Sequence, residues 1–282
     1  MSDTVYAGIV TFNPSIERLE KNIRSIKPQV GKVLIVDNRS ENIDKIEALC
    51  KAEHVEILKN ESNRGIANAL NQMMYFSQEN GADWCVTLDQ DSVCPSNLIS
   101  NARCIMKQEN VGQIVPQILE HNTKEKPALG TKPNGERFQK VKKSITSAAI
   151  TNVPIWQRLG GFDNTLFIDY VDFDYAIRLN LMGFSIIRMN DVFLDHELGE
   201  STYRRLFFVK IRVANHSAFR KYYICRNIVI YIRRYSGKID SVSEILRLCK
   251  TVGIAVCFED NKWEKFKSCM RGIIDGVLFK LK

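Results

Sequence analysis

Over the first hundred positions, dense apolar runs alternate with longer stretches of amphipathic spacing. The run "VYAGIVTFN" (5–13) is rich in β-formers and stops at Asn13-Pro14, a turn signal, which predicts a strand. Ile16, Leu19, Ile23 and Ile26 then recur at helical spacing. "KVLIVDN" (32–38) predicts a second strand, "SENIDKIEALCKAE" (40–53) a helix, and "VEILKN" (55–60) a third strand. "NRGIANALNQMMYFSQENG" (63–81) predicts a helix opened at a glycine and closed at Asn80-Gly81. "DWCVTLDQD" (83–91) predicts a fourth strand, and Pro95 stands where the next helix begins. This alternation, with near-continuous apolar strands, predicts an α/β fold whose parallel sheet is covered on both faces.

Beyond residue 100 the pattern loosens. Residues 120–144 are polar, with Pro and Gly and little periodicity, which predicts a loop or short hairpin. A helix is predicted from the Asp169–Asp174 region to Met182-Gly183, and "FSIIRMNDVFLDHE" predicts a strand ending at Asp195-His196-Glu197. Residues 201–235 interleave nine Lys/Arg, and no Asp/Glu, with aromatic and aliphatic residues; they are read as a basic helix pair packing its apolar side on the core.

Charge sharpens this division. The formal net charge is +8, yet residues 201–282 carry 18 Lys/Arg against 6 Asp/Glu, so the first 200 residues are net acidic. Two parts are expected: 1–200, an acidic front, and 201–282, a basic amphipathic helical region. The positive tail calls for an anionic partner. A membrane surface suits it better than nucleic acid, because no nucleic-acid-binding module accompanies it. With 282 residues and 45% hydrophobic content the chain can bury a full core. The first residues lack a signal-peptide pattern, and nowhere do eighteen uncharged apolar residues run together. Eight scattered cysteines without a CxxC pair favour reduced thiols. The expected location is cytoplasmic, peripheral on the inner face of the cell membrane.

The polar residues at the predicted strand ends are Thr11 and Asn13, Asp37 and Asn38, Asn63, then Asp89 and Asp91. In a parallel α/β sheet these ends flank the ligand crevice. Asp89 and Asp91 either form a solvated turn or converge on a hard divalent cation. In the second acidic cluster, Asp174 has Arg178 four residues on and reads as structural. Asp172 has no such partner in sequence and suits a general base, while Asp169 reads as an acceptor-binding acid or a loop-ordering group. His196, ending a predicted strand, is either structural or a metal ligand.

At this point the motifs "IVTFNP", "VLIVDNRS", "NESNRGIANALNQ", "TLDQDS", "LGGFDNTLFIDYVDFDYAIRLNLMGF" and "DHELG" stand in order along the chain. Together they resemble the inverting family 2 glycosyltransferases of the GT-A fold, most closely the bacterial rhamnosyltransferase group. The resemblance covers roughly residues 4–235. Asp172 and His196 lie 24 positions apart, as the base and metal-binding histidine do in the related galactofuranosyltransferase branch. The chain departs from many relatives at Val171, where a glutamate often precedes the base, and at Ala148 and Ala149, where glycine is frequent.

The resemblance implies a GT-A architecture and a set of roles, with 1–200 as the nucleotide-sugar-binding and catalytic domain and 201–282 on the membrane and acceptor side. Thr11, Asn13, Asp37, Asn38, Asn63, Gly65, Ala67, Asp89 and Gln90 would line the nucleotide pocket. Asp89, Asp91 and His196 would hold Mg²⁺ or Mn²⁺ on the diphosphate, Asp172 would deprotonate the acceptor hydroxyl, and Asp169 and Trp156 would contact the acceptor. The implied donor is dTDP-L-rhamnose. The implied acceptor is a saccharide on a polyprenyl diphosphate lipid, in O-antigen or capsule-type polysaccharide assembly. Alternatives are the same chemistry with a UDP-hexose or UDP-galactofuranose, and a non-catalytic binder of nucleotides or anionic lipid. Nucleotidyl transfer is disfavoured, because "TFNPSIERLEK" lacks the Gly-rich, lysine-bearing loop that such chemistry uses.

Overall fold

The computed structural model describes residues 3–120, 136–196, 202–206 and 209–281, and the side chains of all of these but 119–120, 195–196, 202–206 and 209–212. Chain contacts divide it into two units: Met1–Thr165 with Val171–Glu197, and Leu166–Tyr170 with Leu198–Lys282.

The first unit begins with β1 (Val5–Thr11), α1 (Ile16–Ile26), β2 (Val33–Asp37), α2 (Ile43–Glu53), β3 (Glu56–Lys59), α3 (Gly65–Glu79), β4 (Trp84–Asp89) and α4 (Leu98–Met106). It continues through β5 (Val111–Glu120), β6 (Phe138–Val141), β7 (Ala149–Asn152), α5 (Val153–Arg158), α6 (Val171–Leu181) and β8 (Ser185–His196). The sheet order is β3-β2-β1-β4-β7-β5-β8-β6. β1 pairs in parallel with both β2 and β4, so the strand order reverses beside β1. That reversal opens a crevice at the carboxyl ends of β1 and β4, where open α/β sheets bind ligands.

The local reasons are legible. Every residue of β1 and β2 is buried, as central parallel strands with helices on both faces require. In α1 the stripe Leu19, Ile23 and Ile26 is buried, and Ser15 caps its first turn by accepting from Arg18 N. A Cβ on Gly8 would collide with the Met73 side chain, so glycine lets α3 lie against β1. The passage between α4 and α6 holds three strands that the apolar pattern did not announce. Against β5, β8 shifts register between Pro116 and Gln117, which leaves Asn190, Asp191 and Val192 outside the ladder. Such a bulge bends the strand. Of the loop or hairpin expected at 120–144, β6 lies within the described residues and 121–135 lie outside them.

The second unit contains β9 (Thr202–Leu206), β10 (Val209–Val213), α7 (Ala218–Arg234), α8 (Ser241–Cys257) and α9 (Lys262–Leu278). β9 and β10 form an antiparallel hairpin, which corrects the expected helix pair in 201–235: helix begins only at 218. The reason is periodicity, because "VKIRV" alternates strictly and β-branched and aromatic residues dominate 202–213. α9 lies close on α7 through Gly272 and Gly276; a Cβ on the first would collide with the Tyr222 carbonyl, and one on the second would lie 2.8 Å from the Arg226 carbonyl.

Two polar devices order this unit. Buried Glu259 accepts from Lys221 Nζ at 2.7 Å and Lys265 Nζ at 3.1 Å. The strap 166–170 is gripped by α7: Asn227 Nδ2 donates to the carbonyls of Leu166, Ile168 and Asp169, and Arg220 makes two bonds to the Asp169 carboxylate. Phe167 stacks on Tyr223, and Tyr170 donates to Glu244. On the solvent side, α8 exposes Val242, Ile245 and Leu246, and α9 exposes Trp263, Ile274, Val277 and Leu278.

Candidate active site

The site is built at the ends of β1, β2 and β4. Thr11 Oγ1 donates to Asp37 Oδ1 at 2.8 Å, and Ser40 donates to the same carboxylate through its hydroxyl and its backbone N–H. Asp37 is 1% exposed, so three internal donors keep this buried acid satisfied. Its accepting capacity toward a ligand is what remains on Oδ2. Asn13, in the left-handed region at φ 50°, accepts from Glu41 N and donates its own N–H to Ser40 Oγ. These bonds lock the loops after β1 and β2 to each other.

A second network carries α3. Asn38 Oδ1 accepts from Asn60 Nδ2 at 3.0 Å, and Asn38 Nδ2 donates to the Gly65 carbonyl at 3.3 Å. Asn63 Oδ1 accepts from Gly65 N at 2.9 Å, where Gly65 takes φ 82° to open the helix. Ala67, expected to line the nucleotide pocket, is fully buried and presents no surface to a ligand.

The acidic turn follows β4. Ser92 N donates back to the Asp89 carbonyl, which also accepts from Asn22 Nδ2 at 2.7 Å. Arg18 Nε donates to the Asp91 carbonyl at 2.6 Å. Gln90 Oε1 accepts from Phe12 N at 2.8 Å, a bond that crosses the crevice from β4 to β1. Two side chains of α1 and one of the turn itself therefore fix where Asp89 and Asp91 stand. A groove of about 350 Å³ beside the turn is lined by Ser15, Glu17, Arg18, Lys21, Gln90 and Asp91.

The two α6 acids part company as their sequence context implies. Asp174 is 1% exposed and accepts from Arg178 Nε at 2.8 Å, and Arg178 NH1 in turn donates to the Leu159 carbonyl. Asp172 is half-buried, and its Oδ1 accepts from Phe173 N at 2.9 Å. The loop 142–147 touches both α6 and the acidic turn. Lys143 Nζ lies 5.3 Å over the Phe173 ring, Asn180 Nδ2 donates to the Lys142 carbonyl, and Ser147 shares a hydrogen bond with Ser92.

The sequence expectation for Trp156 is corrected. Trp156 is 1% exposed, and its indole N–H donates to Asn71 Oδ1 at 3.1 Å; it is a core anchor and presents no face to an acceptor. Asn71 also bonds Phe162 through both its backbone N–H and its carbonyl, so one buried amide ties the "GGFD" turn to α3. Asp169 lies in the strap, where its carboxylate accepts two hydrogen bonds from Arg220, a contact that fits the loop-ordering alternative. His196 ends β8, and its side chain lies outside the described residues. Among the described residues no three His, Cys, Asp or Glu gather as a metal cluster. Sequence reasoning passed over Phe12, which is 48% exposed at the end of β1, and Arg18. The first was hidden inside an apolar strand run and the second on an amphipathic helix.

The model of glycosyl transferase family 2 matches residues 6–170, from β1 through the acidic turn to the strap. The chain belongs to this family. The family 2 glycosyltransferase is 28% identical over 289 residues to dTDP-rhamnosyl transferase RfbF of Shigella flexneri, covering 98% of this chain and 96% of that one. Its fold is that of the GT-A glycosyltransferases. It superposes on mannosyltransferase PcManGT of Pyrobaculum calidifontis, solved with GDP-Man and Mn²⁺, at a TM-score of 0.60 and 13% identity, covering 100% of this chain and 77% of that one. GalNAc-T7 with UDP, GalNAc and Mn²⁺ gives a TM-score of 0.63 at 12% identity, with 98% and 56% covered. S. aureus TarS gives 0.56 at 11%, with 97% and 81% covered.

Proposed function

We propose that this glycosyltransferase moves L-rhamnose from dTDP-L-rhamnose, with inversion, onto a saccharide carried by a polyprenyl diphosphate lipid in surface polysaccharide assembly. The observation that carries the reading is the Asp89–Ser92 turn, pinned by Asn22, Arg18 and Gln90 at the β1/β4 crevice. The likeness to a dTDP-rhamnosyl transferase over nearly the whole chain supports the donor.

The donor set suits Mg²⁺ or Mn²⁺. Two carboxylates within one hydrogen-bonded turn are hard oxygen ligands, and such ions keep much of their coordination for water and substrate phosphates. Asp89 and Asp91 would hold the ion, with His196 as the proposed third ligand. Bound there, the ion would supply positive charge to neutralise a departing diphosphate. Phe12 offers a flat face to the base, and Asp37, Asn13 and Asn38 keep the surrounding loops in register. Asp172 takes the proton of the acceptor hydroxyl as that oxygen attacks the anomeric carbon.

A peripheral membrane location is supported by the exposed apolar faces of α8 and α9 within a strongly basic region. Among the described residues no helix is long and apolar enough to cross a membrane.

Turnover is tested with dTDP-L-rhamnose, UDP-galactose and UDP-galactofuranose, Mn²⁺ and a synthetic lipid-diphosphate sugar, reading the product linkage by NMR. Rhamnosyl transfer is expected. Asp172→Asn should keep dTDP binding and lower kcat about 10²- to 10⁴-fold, the usual contribution of a general base. Unchanged turnover in that variant removes Asp172 from the mechanism, and a chain that binds dTDP but turns over no donor is a binder.

A further inference from the structure

A cavity of about 370 Å³ lies against β5, β6, β8 and the loop 142–147, a volume within the range of small-ligand sites. Lys140, Lys142, Lys143 and Arg188 line it, and no carboxylate does among the described residues. Its wall also includes Gln117, which is 3% exposed and has no hydrogen-bond partner for either its amide nitrogen or its amide oxygen.

That amide is unusual in its own strand. Four residues earlier, buried Gln113 donates to Thr151 Oγ1 at 3.2 Å and accepts from Ser144 Oγ at 2.5 Å. A buried amide left without partners is destabilising, because it has given up water and gained nothing in exchange. The site also has a defined position. Ser147 in its wall bonds Ser92, next to Asp91, and Lys143 in its wall covers Phe173, next to Asp172. Two residues of the cavity wall thus contact the acidic turn and the start of α6.

We propose that this cavity binds a negatively charged sugar of the acceptor. A hydroxyl pair of that sugar satisfies the Gln117 amide, and its phosphate or carboxylate meets Lys140, Lys142 and Lys143, with Arg188 adding buried positive charge. Arg188 is held in the wall by Asn190 and Gln139, which accept its Nε and Nη2 hydrogens. The inference rests on the glycosyltransferase reading and names the chemistry of its acceptor.

The full chain is titrated by saturation-transfer NMR with glucose 1-phosphate, glucuronate, glucose and inorganic phosphate. Binding of glucose 1-phosphate or glucuronate, tighter than of glucose or phosphate alone, is expected, and which of the two wins names the anionic group. Gln117→Leu and the double variant Lys142→Ala/Lys143→Ala should each weaken that binding about tenfold, as loss of a hydrogen bond to a charged or buried partner does. Gln117→Leu should also raise Tm, because it removes an unpartnered amide. Titration with dTDP and Mn²⁺ should be unchanged in both. Wild-type chain that prefers neither anionic sugar, or variants that bind it as tightly as wild type, overturns the proposal. So does loss of dTDP binding in the variants, which assigns the cavity to the donor. Failure of the wild-type chain to bind dTDP instead removes the donor reading and leaves the sugar titration interpretable.

Discussion

At the scale of single residues, the crevice separates groups that organise from groups left for a ligand. Thr11, Asn13, Asn38 and Gln90 all spend hydrogen bonds on neighbouring loops, so their presence at strand ends reflects positioning of the backbone as much as contact with a nucleotide. Asp91 has its backbone carbonyl held by Arg18, a bond that does not need the Asp91 side chain. Asp91→Ala should therefore leave the turn folded and weaken Mn²⁺-dependent binding of dTDP by about 10- to 100-fold, the loss of one charged ligand contact. Calorimetry with and without Mn²⁺ reads the difference; equal metal dependence in variant and wild type would remove Asp91 from the ion site. The strand-end residues were legible in sequence because apolar runs stop abruptly at them. Trp156 was misplaced because an aromatic residue carries no mark of which way it faces; its burial depends on Asn71, a polar residue in the middle of a helix eighty-odd positions earlier.

Elements tell a similar story. β1 to α4 could be read from the chain because their strands are unbroken apolar runs and their helices have clear stripes. β5 escaped notice because "VGQIVPQILE" carries Gln113, Pro116 and Gln117, polar or ring-constrained residues that a bulged inner strand tolerates. The β9–β10 hairpin escaped because charge count drew attention away from period. Helix α9 gives the sharpest prediction at this scale. Gly272→Ala forces a methyl onto the Tyr222 carbonyl, where backbone meets backbone, and should cost about 1–3 kcal/mol or more. Gly253→Ala in α8 meets nothing within 4 Å and should stabilise by about 0.8–1 kcal/mol through helix propensity alone. Urea midpoints of the two variants should move in opposite directions.

For the molecule taken whole, charge and acid sensitivity dominate. His216 is pushed down to about 4, first by burial and then by Arg220 and Lys221, against the opposing pull of Asp169 and Glu259. Below its ordinary value of 6.5 the unfolded chain takes up a proton that the folded chain refuses. Stability therefore falls as pH drops from 6.5 toward 4, and His216→Gln should flatten part of that decline in denaturation curves taken across the range. The outward apolar faces of α8 and α9, set in a region of 18 basic and 6 acidic residues, should bind vesicles containing anionic lipid and release them as salt rises. Replacing Trp263, Ile274 and Leu278 by serine should lower co-sedimentation at every salt concentration, and unaltered co-sedimentation would dismiss these faces as the lipid contact.

The strap has a bearing on how this enzyme can be taken apart. Residues 166–170 sit early in the chain but keep company with the C-terminal helices, through Asn227, Arg220, Glu244 and Tyr223. No single scissor point between residues 197 and 202 yields two self-contained pieces, because the front piece leaves with five residues whose partners stay behind. Anyone grafting the tail of one such enzyme onto the head of another must transplant that pentapeptide as well, or inherit a chimera with two mismatched halves of one clasp.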